Sequence, residues 1–100
     1  MTVAEKLTNL AELYRQGLDS QFLDQQLKKL LKRESLENQR QIGQLTVRLA
    51  VFEDQYHEKT DEFLGRWQAG QIPDSFDFTE WASLAQARLF LQARLKLLDA

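Results

Sequence analysis

The chain has 100 residues, 43% of them hydrophobic, and its 13 basic and 15 acidic side chains give a net charge of −2. This length allows one domain at most, and the charge excludes a global attraction to nucleic acid or anionic membranes. Cysteine is absent, which excludes disulfides and thiolate zinc sites. Without a long apolar run or a signal-like start, we expect a cytoplasmic protein that does not enter a membrane.

The apolar spacing near the amino terminus predicts a first helix from Val3 to Gln16, because hydrophobic residues recur there at steps of three and four. Gly17 should end this helix, since glycine readily adopts the left-handed conformation common at helix ends. Asp19 or Ser20 should cap the next helix.

A long second helix should then run to Tyr56, because no proline or turn cluster interrupts it. Its apolar phase is lost near Ser35, and a coiled-coil spacing follows. The seam comprises Ile42, Leu45, Leu49, Phe52 and Tyr56. A weaker apolar stripe on the opposite side comprises Leu36, Gly43, Val47, Ala50 and Val51.

The chain should break after Tyr56, and Thr60 should cap a short helix over residues 60–69. Gly70 should end that helix, and the single proline, Pro73, predicts a loop. Asp77 and Glu80 have the spacing of a capping box and predict a final helix over residues 78–98.

The final helix is apolar on two faces. Its first stripe comprises Trp81, Leu84, Leu91, Leu95 and Leu98, interrupted by Arg88. Its second stripe comprises Phe78, Ala82, Ala85, Leu89, Phe90, Ala93 and Leu97.

These elements predict an all-α protein with a single domain. Residues 1–33 should form an amino-terminal helix pair, and residues 34–100 a long, antiparallel, coiled-coil-like hairpin that contains the short helix at 60–69. Such a hairpin covers one face of each long helix, and leaving the second faces exposed would forfeit on the order of 10 kcal/mol.

We therefore expect a second chain to cover these faces. A homodimer that pairs two hairpins into a helical bundle is the simplest solution, and a different protein is the other. In the alternative, the first two helices fold back over this surface. The surface predicted to bind the dimer mate or partner comprises Leu36, Gly43, Val47, Val51, Phe78, Ala82, Leu89, Phe90 and Leu97.

Aromatic residues cluster around the loop near Pro73. A plug that closes the end of the hairpin is favoured over an exposed anchoring patch for a partner. Two of these residues, Phe76 and Trp81, also have the spacing of a hydrophobic staple. The cluster comprises Phe63, Trp67, Phe76, Phe78 and Trp81.

Catalytic and cofactor motifs are missing from the sequence. His57 is the only histidine, and its acidic neighbours lack the spacing of a zinc or di-iron site. No glycine-rich phosphate loop and no nucleophile elbow is present. We expect no cofactor and no enzymatic activity.

A basic cluster on the second helix follows a glycine-containing turn that could belong to a helix-turn-helix motif. A solvated basic face is favoured over DNA contact, because acidic residues dilute the cluster. The possible contacts to nucleic acid are Lys28, Lys29, Lys32 and Arg33.

Three motifs carry a family resemblance: Phe-Glu-x-x-Tyr at 52–56, Ala-Gly at 69–70 and Asp-Phe-x-Glu-Trp at 77–81. Over residues 45–91 the chain resembles a group of small bacterial, especially cyanobacterial, helical proteins regarded as antitoxin-like. It departs from them at His57, where they carry glycine. The resemblance implies a protein without catalytic residues that neutralises a toxin by occluding it.

The sequence therefore predicts a non-enzymatic, antitoxin-like module that binds a partner protein. Two alternatives stay open, a structural helical dimer that assembles with itself and a DNA-binding regulator that uses the second helix.

Overall fold

A computed structural model describes residues 2–17 and 21–99, and within them it contains four helices and no strand. These are α1 (Val3–Arg15), α2 (Gln21–Tyr56), α3 (Thr60–Gln68) and α4 (Phe76–Asp99). The predicted all-α fold is confirmed, as is the hairpin of the two long helices, α2 and α4. The predicted caps Asp19 and Ser20 lie outside the described residues.

The chain divides into two compact units, residues 1–30 and 31–100. The first unit contains α1 and the amino-terminal part of α2. Thr2 caps α1 by accepting a hydrogen bond from the backbone N–H of Glu5 at 3.1 Å. Gly17, with a φ of 98°, follows the end of α1 as predicted. Among the described residues of this unit, no side chain is buried.

The hydrophobic core lies in the second unit, where α2, α3 and α4 meet. The predicted seam of α2 contributes Leu49, which is fully buried, and Leu45, Phe52 and Tyr56, which are partly buried and pack against the core. From the first predicted stripe of α4, Trp81 and Leu84 belong to this core, whereas Leu91, Leu95 and Leu98 are half-buried. Among the described residues, the buried hydrophobic side chains are Leu49, Phe63, Leu64, Trp81, Ala82, Leu84 and Ala85.

The seam of α2 continues through polar residues where the sequence pattern suggested a loss of phase. Ser35 and Asn38 are both buried. The hydroxyl of Ser35 donates a hydrogen bond to Asp99 at 2.7 Å, which joins the two long helices near the carboxyl end of α4. The side-chain N–H group of Asn38 is buried without a hydrogen-bond partner. Polar side chains therefore occupy this end of the hairpin seam.

The start of α4 differs from the predicted capping box. Ser75 is the cap, because its hydroxyl accepts a hydrogen bond from the backbone N–H of Phe78 at 3.0 Å. Asp77 instead accepts a hydrogen bond from the Tyr56 hydroxyl at 2.5 Å, and Glu80 pairs with Arg48 at 3.3 Å. The capping box was therefore wrong, and the helix begins two residues earlier than predicted.

The turn between α2 and α3 depends on two residues of the Phe-Glu-x-x-Tyr-His segment. His57 has a φ of 53°, and the next backbone N–H, that of Glu58, donates to the carbonyl of Glu53 at 3.3 Å. This is the hydrogen bond of a Schellman motif, in which glycine is the usual residue at the left-handed position. His57 therefore holds a strained conformation at the end of α2.

The group that caps the start of α3 is a side chain of α2, that of Glu53, and not that of Thr60. The backbone N–H of Thr60 donates to the carboxylate of Glu53 at 2.8 Å, so the predicted cap is the first residue of the helix. The Thr60 hydroxyl accepts a hydrogen bond from the indole N–H of Trp81 at 3.1 Å. Glu53, Thr60 and Trp81 thus connect α2, α3 and α4.

This contact predicts a dependence of stability on pH. The hydrogen bond from the Thr60 N–H holds the pKa of Glu53 below its ordinary value near 4.5, although burial opposes the shift. A carboxylate with a lowered folded-state pKa stabilises the fold above that ordinary value, and the stabilisation is lost as the pH falls through the lower one.

We expect Glu53→Gln to unfold more readily at neutral pH and to lose less stability than the wild type on acidification to about pH 3. Urea denaturation at both pH values measures this. The control is Asp54→Asn, a substitution at the neighbouring exposed residue. This variant keeps Glu53, so its free energy of unfolding should fall on acidification as much as that of the wild type. Equal acid sensitivity in Glu53→Gln and the wild type would contradict the assignment.

Candidate protein-binding surface

Two apolar stripes remain exposed on the second unit after its core has formed. We call them the outer α2 stripe and the outer α4 stripe. Leu36, Val47 and Val51 of the outer α2 stripe are exposed by 56–68%, and the side chains of the outer α4 stripe are exposed by 49–81%. The outer α2 stripe comprises Leu36, Gly43, Val47 and Val51, and the outer α4 stripe comprises Leu89, Phe90 and Leu97.

Two residues predicted to belong to this surface pack in or against the core instead. Ala82 is buried in the core, and Phe78 is half-buried with its ring 5.0 Å from that of Tyr56 and 5.8 Å from that of Phe63. The cause is α3, which packs against α4. The predicted surface was therefore wrong for Ala82, Phe78 is only partly accessible, and the large exposed side chains on α4 begin at Leu89.

Gly43 leaves open space on the outer α2 stripe. A Cβ atom added to this glycine would meet no heavy atom within 4 Å, so nothing in the chain itself requires glycine there. Glycine in a helix interior costs about 1 kcal/mol relative to alanine. The position therefore offers a place where the backbone of a partner could approach α2 closely.

A groove of about 570 Å³ lies between α2 and α4 and adjoins the outer α2 stripe through Val47. The sequence pattern missed this groove because it assigned Leu45 and Leu91 to the closed seam, and both are only half-buried. Arg48 contributes to its wall and pairs with Glu80 across the two helices. The lining residues are Gln41, Gln44, Leu45, Val47, Arg48 and Leu91.

An aromatic plug closes the loop end of the hairpin. The ring of Phe63 stacks on that of Trp81 with centroids 3.8 Å apart and planes within 3°. Phe52 and Tyr56 stack on the same indole at 5.7 and 5.8 Å. Of the five residues predicted to form the plug, four lie in or against the core: Phe63, Trp67, Phe78 and Trp81.

Phe76 lies outside the plug, because its side chain is 84% exposed. The predicted hydrophobic staple between Phe76 and Trp81 is therefore wrong. The start of α4 at Ser75 explains the difference, since it shifts Phe76 from the position before the cap to the first residue of the helix.

The surroundings of His57 are polar. A cavity of about 300 Å³ is lined there mostly by charged side chains. Glu58 accepts two hydrogen bonds from the Arg66 guanidinium, at 2.8 and 2.6 Å, and these raise the pKa of Arg66 above its ordinary value. Within residues 2–17 and 21–99, no group of three or more histidine, cysteine or acidic side chains is placed to hold a metal ion.

The four basic residues considered for DNA contact are all exposed on α2. Lys28 forms an ion pair with Asp24 at 3.0 Å, one turn earlier on the same helix. Its charge is thereby partly neutralised within the chain. Nucleic-acid contact through Lys28, Lys29, Lys32 and Arg33 stays a prediction.

None of the helices in the described part of the chain has both the length and the apolar character needed to cross a membrane. No protein-family model matches the sequence, and searches of curated proteins and of solved structures return no match. The resemblance to antitoxin-like proteins therefore rests on the three motifs at 52–56, 69–70 and 77–81 alone.

Proposed function

We propose that this chain is a non-enzymatic, antitoxin-like module that binds a partner protein and neutralises it by covering it with a helical surface. The observation that carries this proposal is the exposure of large apolar side chains along both long helices. Burying one such side chain in an interface is worth roughly 1.5–3 kcal/mol, so several of them together offset the entropy lost on association.

The outer α4 stripe is the best-defined part of this surface. Phe90 and Leu97 are 67% and 81% exposed, and they lie seven residues apart, which places them on the same side of α4. A helix that presents apolar residues at this spacing fits a hydrophobic groove on a partner. Apolar side chains in such positions act as anchors when they enter the groove of the partner, and the aromatic ring of Phe90 offers the larger buried area.

The rigid plug makes the hairpin suitable for occlusion. The stacked rings around Trp81 and the hydrogen bonds among Glu53, Thr60 and Trp81 fix α3 against the two long helices. A surface that is ordered before binding loses less entropy when it binds. The resemblance to antitoxin-like proteins supports a toxin as the occluded partner.

The proposal is tested by affinity purification of the tagged full chain from its native host. We expect a stoichiometric partner with the wild type, loss of that partner with Phe90→Asp, and retention with the matched control Phe90→Leu. Expressed alone, the partner should arrest growth, and co-expression of the wild type should restore it while Phe90→Asp does not.

Two results would reject the proposal. One is the absence of any stoichiometric partner under mild conditions. The other is a partner that binds Phe90→Asp as well as the wild type and has no effect on growth.

A further inference from the structure

The described part of the amino-terminal unit, which spans residues 1–30, has two helical segments with apolar stripes but no buried core. In its described residues, 2–17 and 21–30, the most protected apolar side chains are only half-buried. They are Leu10, Tyr14, Leu23 and Leu27. A compact unit in which no side chain is buried lacks the main source of folding free energy.

The small size of this unit also indicates that it needs additional contacts. Units of fewer than about 40 residues rarely fold without a metal, disulfides or oligomerisation, and cysteine is absent from this chain. The hydroxyl oxygen of Tyr14 is buried without a hydrogen-bond partner, which weakens the unit further. We therefore expect another surface to cover the apolar stripes of the unit.

We propose that a second copy of this chain supplies that surface, so that two amino-terminal units pair into an intermolecular four-helix bundle. Each copy contributes α1 and the amino-terminal part of α2. Twofold pairing of identical surfaces is the commonest form of association among soluble proteins, and four helices enclose a core that two cannot.

The exposed apolar area of the unit matches what a homodimer requires. Among the described residues of the unit, 2–17 and 21–30, five large side chains are exposed by 46–73%, and burying each would remove on the order of 100 Å² from water. Their sum, about 500 Å², equals the apolar share of a standard interface, which buries about 800 Å² per partner and is about 65% apolar in homodimers. The five residues are Val3, Leu7, Leu13, Phe22 and Leu30.

The charge of the unit also fits a second copy better than a strongly charged partner. Residues 1–30 contain four acidic and four basic side chains, so the unit is neutral. Arg15 pairs with Glu12 at 3.3 Å and Lys28 with Asp24 at 3.0 Å, which neutralises charges within the unit. Two identical neutral surfaces meet without net repulsion.

This assignment does not depend on the proposed function. It places self-association in the amino-terminal unit, whereas the homodimer expected from the sequence used the hairpin of residues 34–100. The outer α2 and α4 stripes then stay available for a different protein.

The test is the oligomeric state of the full chain, measured by light scattering and sedimentation equilibrium at micromolar to near-millimolar concentrations. We expect a dimer for the wild type. The double variant Leu7→Glu/Leu30→Glu should raise the dissociation constant at least about 100-fold, because four apolar side chains per dimer are lost. The control Val47→Glu/Phe90→Glu, which places the same charges on the outer stripes, should leave the dimer intact.

Tryptophan emission distinguishes dissociation from unfolding. Both tryptophans, Trp67 and Trp81, belong to the second unit, so their emission should be unchanged in Leu7→Glu/Leu30→Glu. A monomeric wild type at all concentrations overturns the proposal, and so does a double variant that stays dimeric. A control that becomes monomeric while Leu7→Glu/Leu30→Glu stays dimeric would assign the interface to the outer stripes instead.

Discussion

Replacing Trp81 with alanine is expected to lower the free energy of unfolding by about 3–5 kcal/mol, the range for removal of a fully buried large aromatic side chain. The indole is completely buried and stacks against Phe52, Tyr56 and Phe63. Its N–H group also donates to the Thr60 hydroxyl. Urea denaturation followed by far-ultraviolet circular dichroism measures the loss.

The matched control for this variant is Phe76→Ala. Phe76 begins the same helix but is 84% exposed, so its removal should change the free energy of unfolding by less than about 0.5 kcal/mol. Trp81→Phe should fall between the two, because it keeps an aromatic ring in the stack and loses the hydrogen bond to Thr60. Equal stability of Trp81→Ala and Phe76→Ala would show that the plug does not form.

Leu49→Ala should have the second-largest effect, a loss of about 2–5 kcal/mol. Leu49 is the fully buried residue of the α2 seam, and a smaller side chain leaves a cavity between the two long helices. The control is Val47→Ala, two residues earlier on α2 and 68% exposed. It should change stability by less than about 0.5 kcal/mol. A similar loss in both variants would mean that α2 does not face α4 through Leu49.

The periodicity of the sequence predicted the inward faces of the long helices. Steps of three and four identified Leu49 in α2 and Trp81 in α4, and the structure buries both. Gly70, predicted to end α3, has a φ of 73° just beyond it. Periodicity and glycine positions succeed because they depend on each helix alone.

Contacts between elements could not be predicted in this way. Ser75 and Asp77 are both good helix caps. The sequence does not show that the Tyr56 hydroxyl donates a hydrogen bond to the Asp77 carboxylate, which leaves Ser75 as the cap. For the same reason Ala82 was assigned to the surface, since its burial depends on the side of α4 against which α3 packs. The pattern of a single helix contains no information about either choice.

The polar end of the hairpin seam has a consequence for the alignment of its two helices. A pair of antiparallel helices with an entirely apolar seam could slide by one heptad and keep most of its packing. The Ser35–Asp99 hydrogen bond and the hydrogen bond from Arg88 to the Thr46 hydroxyl oppose such a slip, because both would be lost. A slip would move each donor about 10 Å from its acceptor, at 1.5 Å per residue. We therefore expect the hairpin to keep a single register, so that every copy presents the same outer stripes to its partner.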